Sequence, residues 1–302
     1  MCGVSVVPQR SGRESCSRFE LAVDAFLSEP LSPTTVRSYR QTLGALTGAL
    51  AGESPTAEQI EAVLRLRWGT AAAATWNRHL ATVRSFLAYS ERHRLLATIE
   101  VRSQRRREPE DRTRAIANSE LQRIWALRAP VREKALWRLL YETAARASEA
   151  LSLNVEDLDL PNRSAQIVGK GGRRDYVFWQ TPTARLLPHL IAGREHGPLF
   201  VTDRRARVLL APGDVCPQTG RARLSYRRAA ELFSQHTGRT LHQLRHSALT
   251  HLAEDGVNGP LLMAVSRHES LRSLQRYARP GPAAVAKLSA QRDPEQRRRR
   301  RA

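Results

Sequence analysis

The sequence predicts a mainly α-helical chain with a small β-hairpin, folded as two domains. Three observations predict it. Apolar residues recur at spacings of three and four along most of the chain between residues 17 and 290. One short stretch, SAQIVGKGGRRDYVFWQ, instead sets two β-favouring runs around GKGG with its three turn-forming glycines. Between two helical regions lies RSQRRREPEDRTRA, charged, aperiodic and interrupted by Pro109. The 302 residues, 41% of them hydrophobic, suffice for two cores.

Residues 1–16 carry neither helical period nor the apolar core of a secretion signal, and are expected to be a disordered tail. Residues 17–101 read as a helical bundle. Ser32 followed by Pro33 starts a helix whose apolar stripe is Val36, Tyr39, Leu43, Leu46 and Leu50. Thr56 starts another, with Gln59 as its capping-box partner. Trp76, Leu80, Val83 and Leu87 mark a third stripe, and Arg78, Arg84 and Arg92 occupy the opposite face. Residues 102–114 are expected to be a basic linker, with Arg105, Arg106 and Arg107 tracking a phosphate backbone.

In residues 115–291 helices are expected from Ser119, capped with Gln122, through VREKALWRLLYETAA. The hairpin follows, with strands at Ala165–Val168 and Asp175–Trp179 and Lys170 at its tip. Helix is then expected from about Thr183 onward. Residues 292–302, ending in an arginine run, read as a disordered tail.

Lys and Arg number 49 against 29 Asp and Glu, a net charge of +20 that points to a polyanionic partner, most simply nucleic acid. No apolar run approaches the roughly 18 residues of a membrane-spanning helix. Cys2, Cys16 and Cys216 have no knuckle or framework spacing, which fits a reducing compartment.

LHQLRHSALTHL carries an apolar stripe of Leu241, Leu244, Ala248, Leu249 and Leu252, with His242 and Arg245 one turn apart at its edge. A zinc-protease reading fails, because Gln243 stands where the general-base glutamate is required. Arg146 in TAARASEALSL, Lys170 in GKGGRRDYVF, and His268 and Tyr277 in RHESLRSLQRYARP complete a constellation. In order and spacing these four boxes resemble the tyrosine recombinase, or phage-integrase, family. SPTTVRSYRQTL and TWNRHLATVRSFLAY resemble its core-binding domain, so the likeness covers residues 17 to about 290. Where that family usually has Leu-Gly before its second histidine, this chain has Ser266-Arg267, which removes backbone freedom beside His268.

The resemblance implies a two-domain DNA clamp: a SAM-like helical core-binding domain and a mixed α/β catalytic domain. It implies that DNA is cut and rejoined through a 3′-phosphotyrosine on Tyr277, without cofactor, metal or ATP. Arg146 and Arg245 would grip the nonbridging oxygens with paired hydrogen bonds, and His268 would add a donor. It gives Lys170 the proton for the leaving 5′ oxygen, and His242 a part in deprotonating Tyr277 or orienting the phosphate. Implied partners are duplex DNA, a tetramer on paired sites and a directionality or accessory factor, with no membrane. The expected setting is the nucleoid of a bacterial cytoplasm. Rival readings are a DNA-binding relic or regulator of the same fold, and relaxation of the type IB topoisomerase kind. All six catalytic positions are filled, which argues against decay. The segment AAVAKLSAQ is expected to form a short apolar-faced helix that docks on a neighbouring protomer.

Overall fold

The computed structural model describes residues 17–50, 54–108, 115–169 and 172–267, with Leu274 and Ser289. It divides into two compact units, Met1–Glu110 and Asp111–Ala302.

The first unit contains α1 (Arg18–Leu27), α2 (Pro33–Thr47), α3 (Ala57–Trp68) and α4 (Ala73–Arg92). Their starts follow from local chemistry. Ser17 and Glu20 close a reciprocal capping box at 3.2 and 2.9 Å. Ser32 Oγ accepts from Thr35 N ahead of the N-terminal Pro33, and Thr56 and Gln59 form a second box. Each such cap is worth about 1 kcal/mol. Trp76, Leu80, Val83, Phe86 and Leu87 of α4 pack against Phe19, Phe26, Leu43, Leu46, Ile60 and Leu64. Phe86 meets Phe19 edge to face at 5.5 Å.

One histidine lies in this core. His79 is buried, stacks on Trp68 at 3.8 Å, and shares a 2.8 Å hydrogen bond with Thr42 Oγ1 through Nδ1. Arg78 can only donate, so Nε2 accepts from it at 3.1 Å and the imidazole is the neutral Nδ1–H form. Burial lowers its pKa to about 4, and the Arg78 charge adds to the shift. The unfolded chain therefore binds the extra proton first, near pH 6.5. Stability from this group is full above that pH and declines as pH falls towards 4, by a total on the order of 2 kcal/mol. Urea unfolding at pH 7 and at pH 4.5 should show this loss, and His79→Gln should flatten it. An equal pH slope in that variant would remove His79 as the cause.

The second unit contains α5 (Asn118–Ala126), α6 (Val131–Thr143), α7 (Ala147–Ser152), α8 (Thr181–Ile191), α9 (Tyr226–Thr237), α10 (Leu241–Glu254) and α11 (Gly259–Ser266). Strands β1 (Leu158–Asp159), β2 (Ser164–Val168) and β3 (Arg174–Phe178) form an antiparallel sheet in that order, with Ala165 opposite Val177 and Val168 opposite Arg174. The core sits around α6, whose Leu136, Trp137 and Leu140 join Ile167, Val177, Leu187, Phe233, Leu241 and Leu244. Trp137 meets Phe233 at 5.3 Å.

Two expectations are corrected. Helix does not run on from Thr183: after α8, β4 (Val201–Arg205) pairs antiparallel with β5 (Arg221–Arg223). VTDRR lacks the apolar alternation of a strand, with only Val201 buried. Long-range bonds hold it instead: buried Arg132 donates to Val201 O at 2.9 Å and to Asp203 Oδ1 at 2.9 Å. The Ser119–Gln122 capping box does not form either. Helix α5 begins at Asn118, so Ser119 lies inside the first turn, and Ala117 holds the cap position without a side-chain bond. Among the described residues no helix is long and apolar enough to cross a membrane.

Candidate active site

The site grows from the corner between α6 and α7. Helix α6 ends at Ala144, which adopts the left-handed conformation at φ 47°. Thr143 stabilises the corner, its Oγ1 donating to Leu139 O at 2.6 Å and accepting from Ala145 N at 3.1 Å. Arg146 then occupies the N-cap position of α7. Glu149, three residues on, accepts from Arg146 N at 2.8 Å and from Arg146 Nη1 at 2.6 Å. The Arg146 side chain remains 43% exposed, while that of Glu149 is 5% exposed.

Arg245 reaches the same corner from α10. Its Nη1 donates to Ala144 O and its Nη2 to Ser266 O at 2.6 Å. The helix is placed by Thr240, whose N–H donates to Gln243 Oε1 at 2.9 Å, and by Leu241, Leu244 and Leu249 in the core. Expected at the edge of the apolar stripe, Arg245 is in fact buried. Two carbonyl acceptors make that burial tolerable for a guanidinium. His242 is exposed one turn earlier, and His246 and Ser247 are buried beside Arg245. Beneath lie Ala144, Ala248, Leu249, Leu262 and Leu274, a small apolar floor.

Helix α11 closes the group. It ends at Arg267, also left-handed at φ 55°. The Arg267 side chain turns inward, donating to Val265 O at 3.0 Å, Ala144 O at 3.3 Å and Glu149 Oε2 at 3.2 Å. Burial pushes the Glu149 carboxyl up, but hydrogen bonds from Arg146 and the charges of Arg267 and Arg146 outweigh it. Its pKa ends below the ordinary carboxylate value, so it is ionised. Glu149 is the residue that the motifs do not single out, and Arg267 stands out in the sequence only for the glycine it replaces. The signal for Glu149 was its place three residues after Arg146, as in the second half of a capping box.

Lys170, His268 and Tyr277 lie outside the described residues, as does AAVAKLSAQ apart from Ser289. The hairpin either side of Lys170 is described: Gly169 N donates to Arg173 O at 2.7 Å, and Gly172 has φ 81°. Among the described residues no group of three or more His, Cys, Asp or Glu could hold a metal ion.

Arg78 and Arg84 are exposed on α4 as expected, though Arg84 also donates to Ser103 O at 2.8 Å. The segment entering the expected linker is held against the first unit. Trp76 Nε1 donates to Gln104 O at 2.9 Å, and Asn77 Oδ1 accepts from Arg106 N at 2.7 Å. The Arg106 guanidinium lies 4.2 Å over the Trp76 ring and donates to Ala71 O at 3.2 Å, while Arg105 and Arg107 are exposed. Arg106 is thus a fastener more than a free phosphate contact. Arg106→Ala should lower the unfolding free energy by about 1–2 kcal/mol through the lost cation–π contact and hydrogen bond. Arg105→Ala and Arg107→Ala should leave stability within about 0.5 kcal/mol. Thermal unfolding of the three variants checks this; equal losses in all three would refute it.

Comparison with known families decides the reading. The phage integrase family model matches residues 114–283, more than half of the chain, and the model of the phage integrase N-terminal SAM-like domain matches residues 24–94. The chain belongs to the phage integrase family. Among its relatives, tyrosine recombinase XerC of Rhodospirillum centenum is 31% identical over 273 residues, covering 82% of this chain and 77% of that protein. Tyrosine recombinase XerC of Mycobacterium bovis is 29% identical, covering 85% and 90%. In fold the chain resembles the Tn1549 transposon integrase solved with circular intermediate DNA, at TM-score 0.65 and 15% identity over 91% of this chain and 99% of that one. It also resembles lambda integrase, solved as a tetramer on a Holliday junction, at TM-score 0.65 and 14% identity over 84% and 76%. The function is site-specific recombination, the breaking and rejoining of DNA strands, and neither the relic nor the topoisomerase reading is favoured.

Proposed function

We propose that Tyr277 is the nucleophile. Its phenol oxygen attacks the scissile phosphorus, the bond from phosphorus to the 5′ oxygen breaks, and a 3′-phosphotyrosyl bond and a free 5′ hydroxyl result. Lys170 protonates the departing oxygen. His242 takes the phenol proton or orients the phosphate, and His268 donates to a nonbridging oxygen. Arg146 and Arg245 bind the charge that develops on those oxygens, where two forked guanidiniums exceed two point charges. The observation that supports this is that Arg146, paired with Glu149, and Arg245, bonded to Ala144 O, reach the same α6–α7 corner from separate helices.

Both units are proposed to bind one duplex, with Arg78, Arg84, Arg105 and Arg107 on phosphates. Four protomers hold two sites; lambda integrase, similar in fold, was solved as a tetramer bound to a Holliday junction. The segment after Pro282 docks in trans, and a directionality or accessory factor sets the outcome. The bacterial cytoplasm is the proposed setting, and the phosphotyrosyl bond conserves the energy, so no cofactor takes part.

The test begins by selecting the bound sequence from a random duplex pool. A nicked copy of that duplex, incubated with the protein, should trap a species that survives a denaturing gel and disappears with protease. Absence of any such adduct on the selected duplexes would overturn the proposal.

A further inference from the structure

The Arg146–Glu149 pair poses an electrostatic difficulty. A buried, ionised carboxylate 2.6 Å from Arg146 cancels much of the charge that Arg146 could offer an anion. Arg267 resolves it. Its side chain is 7% exposed and meets the other oxygen of Glu149 at 3.2 Å, so one carboxylate is shared between two guanidiniums. The trio keeps one net positive charge, and 43% of the Arg146 side chain still faces outward. Arg267 also shares the Ala144 carbonyl with Arg245. It does so from a left-handed residue, a conformation that glycine adopts more readily than arginine. Among the described residues its buried Nε has no hydrogen-bond partner. Holding arginine here costs backbone strain.

We propose that Arg267 is a positioning residue for strand cleavage. By neutralising Glu149 it leaves the charge of Arg146 available to the scissile phosphate, and by bonding Ala144 O it ties the end of α11 to the α6–α7 corner. This rests on Arg146 and Arg245 being the phosphate grip.

Two variants separate charge from backbone. Arg267→Gly suits the left-handed turn and removes the guanidinium. Arg267→Lys retains a cation. In single-turnover cleavage of the nicked duplex, at a temperature where the variants are folded, Arg267→Gly should be slowed at least tenfold, with duplex affinity within threefold of wild type and Tm lowered by the lost buried ion pair. Arg267→Lys should recover most of the rate. In a Glu149→Gln background, where no carboxylate needs neutralising, Arg267→Gly should slow cleavage less than twofold further. Arg267→Gly cleaving at the wild-type rate, or both variants slowed equally at equal Tm, would overturn the proposal. Arg245→Ala tests the underlying reading separately. If that variant cleaves at the wild-type rate, the phosphate grip itself is misassigned, whatever Arg267 does.

Discussion

Tyr277→Phe is expected to bind its duplex site with near wild-type affinity and to form no covalent adduct. The change removes one oxygen, and with it the only atom that could form the phosphotyrosyl bond. A phenol, with a pKa of about 10, is a weak nucleophile at neutral pH unless it is held in line with the phosphorus. The loss should therefore be total on a denaturing gel. The chain has six tyrosines, and the other five are poorly suited to replace it. Tyr141 packs closest to the α6–α7 corner, but its hydroxyl is 3.0 Å from His251 Nδ1. Burial raises its pKa further, with the Asp255 charge adding to the rise. Tyr89 is bonded to Glu29 at 3.0 Å and Tyr39 stacks on Phe26, both in the first unit. Tyr176 sits on the hairpin within 3.4 Å of Gln166 Nε2, and Tyr226 is exposed at the start of α9. An adduct of wild-type strength in Tyr277→Phe would move the assignment to one of these, with Tyr141→Phe the next variant to make.

The helices of the first unit were legible because their signals are local. Ser32-Pro33 and Thr56 with Gln59 cap where the sequence places them, and the stripe of Trp76, Leu80, Val83 and Leu87 is buried along α4. What escaped reading depends on partners distant in the chain. Strand β4 is held by Arg132, some 70 residues earlier, and nothing in VTDRR announces it. Residues 103 to 106 looked like free linker because they are charged, yet their backbone meets Trp76, Asn77, Arg84 and Glu61. In the candidate site, motif spacing singled out Arg146 and Arg245 but not the depth at which they sit. A helix edge in sequence cannot reveal that two carbonyls, Ala144 and Ser266, wait for a guanidinium there. Ser266-Arg267 stood out as a departure from a pattern. Its inward turn onto Glu149 follows from a left-handed residue that only the fold displays.

That buried setting gives Arg245 two tasks, and its variants should separate them. As a strut it joins α10 to the α6–α7 corner through Ala144 O and to the end of α11 through Ser266 O. As a catalyst it would bind charge developing on the phosphate. Arg245→Ala should fail at both. Ser266 O loses a charged donor, whereas Ala144 O keeps Arg267 at 3.3 Å. One buried carbonyl without its partner costs about 1–3 kcal/mol. Cleavage should fall about a thousandfold or more, the scale on which a single oxyanion donor contributes. Arg245→Lys restores the charge, but a single ammonium cannot span both carbonyls and also fork onto two phosphate oxygens. It should therefore recover much of the Tm and little of the rate, leaving cleavage about a hundredfold down. Thermal unfolding and single-turnover cleavage on the same preparations read the two tasks independently. If Arg245→Lys cleaved at the wild-type rate, a point charge would suffice, and the paired hydrogen bonding assigned to this arginine would be wrong. If instead rate and Tm fell in proportion across both variants, Arg245 would be a strut alone, and the charge at the phosphate would have to come from Arg146.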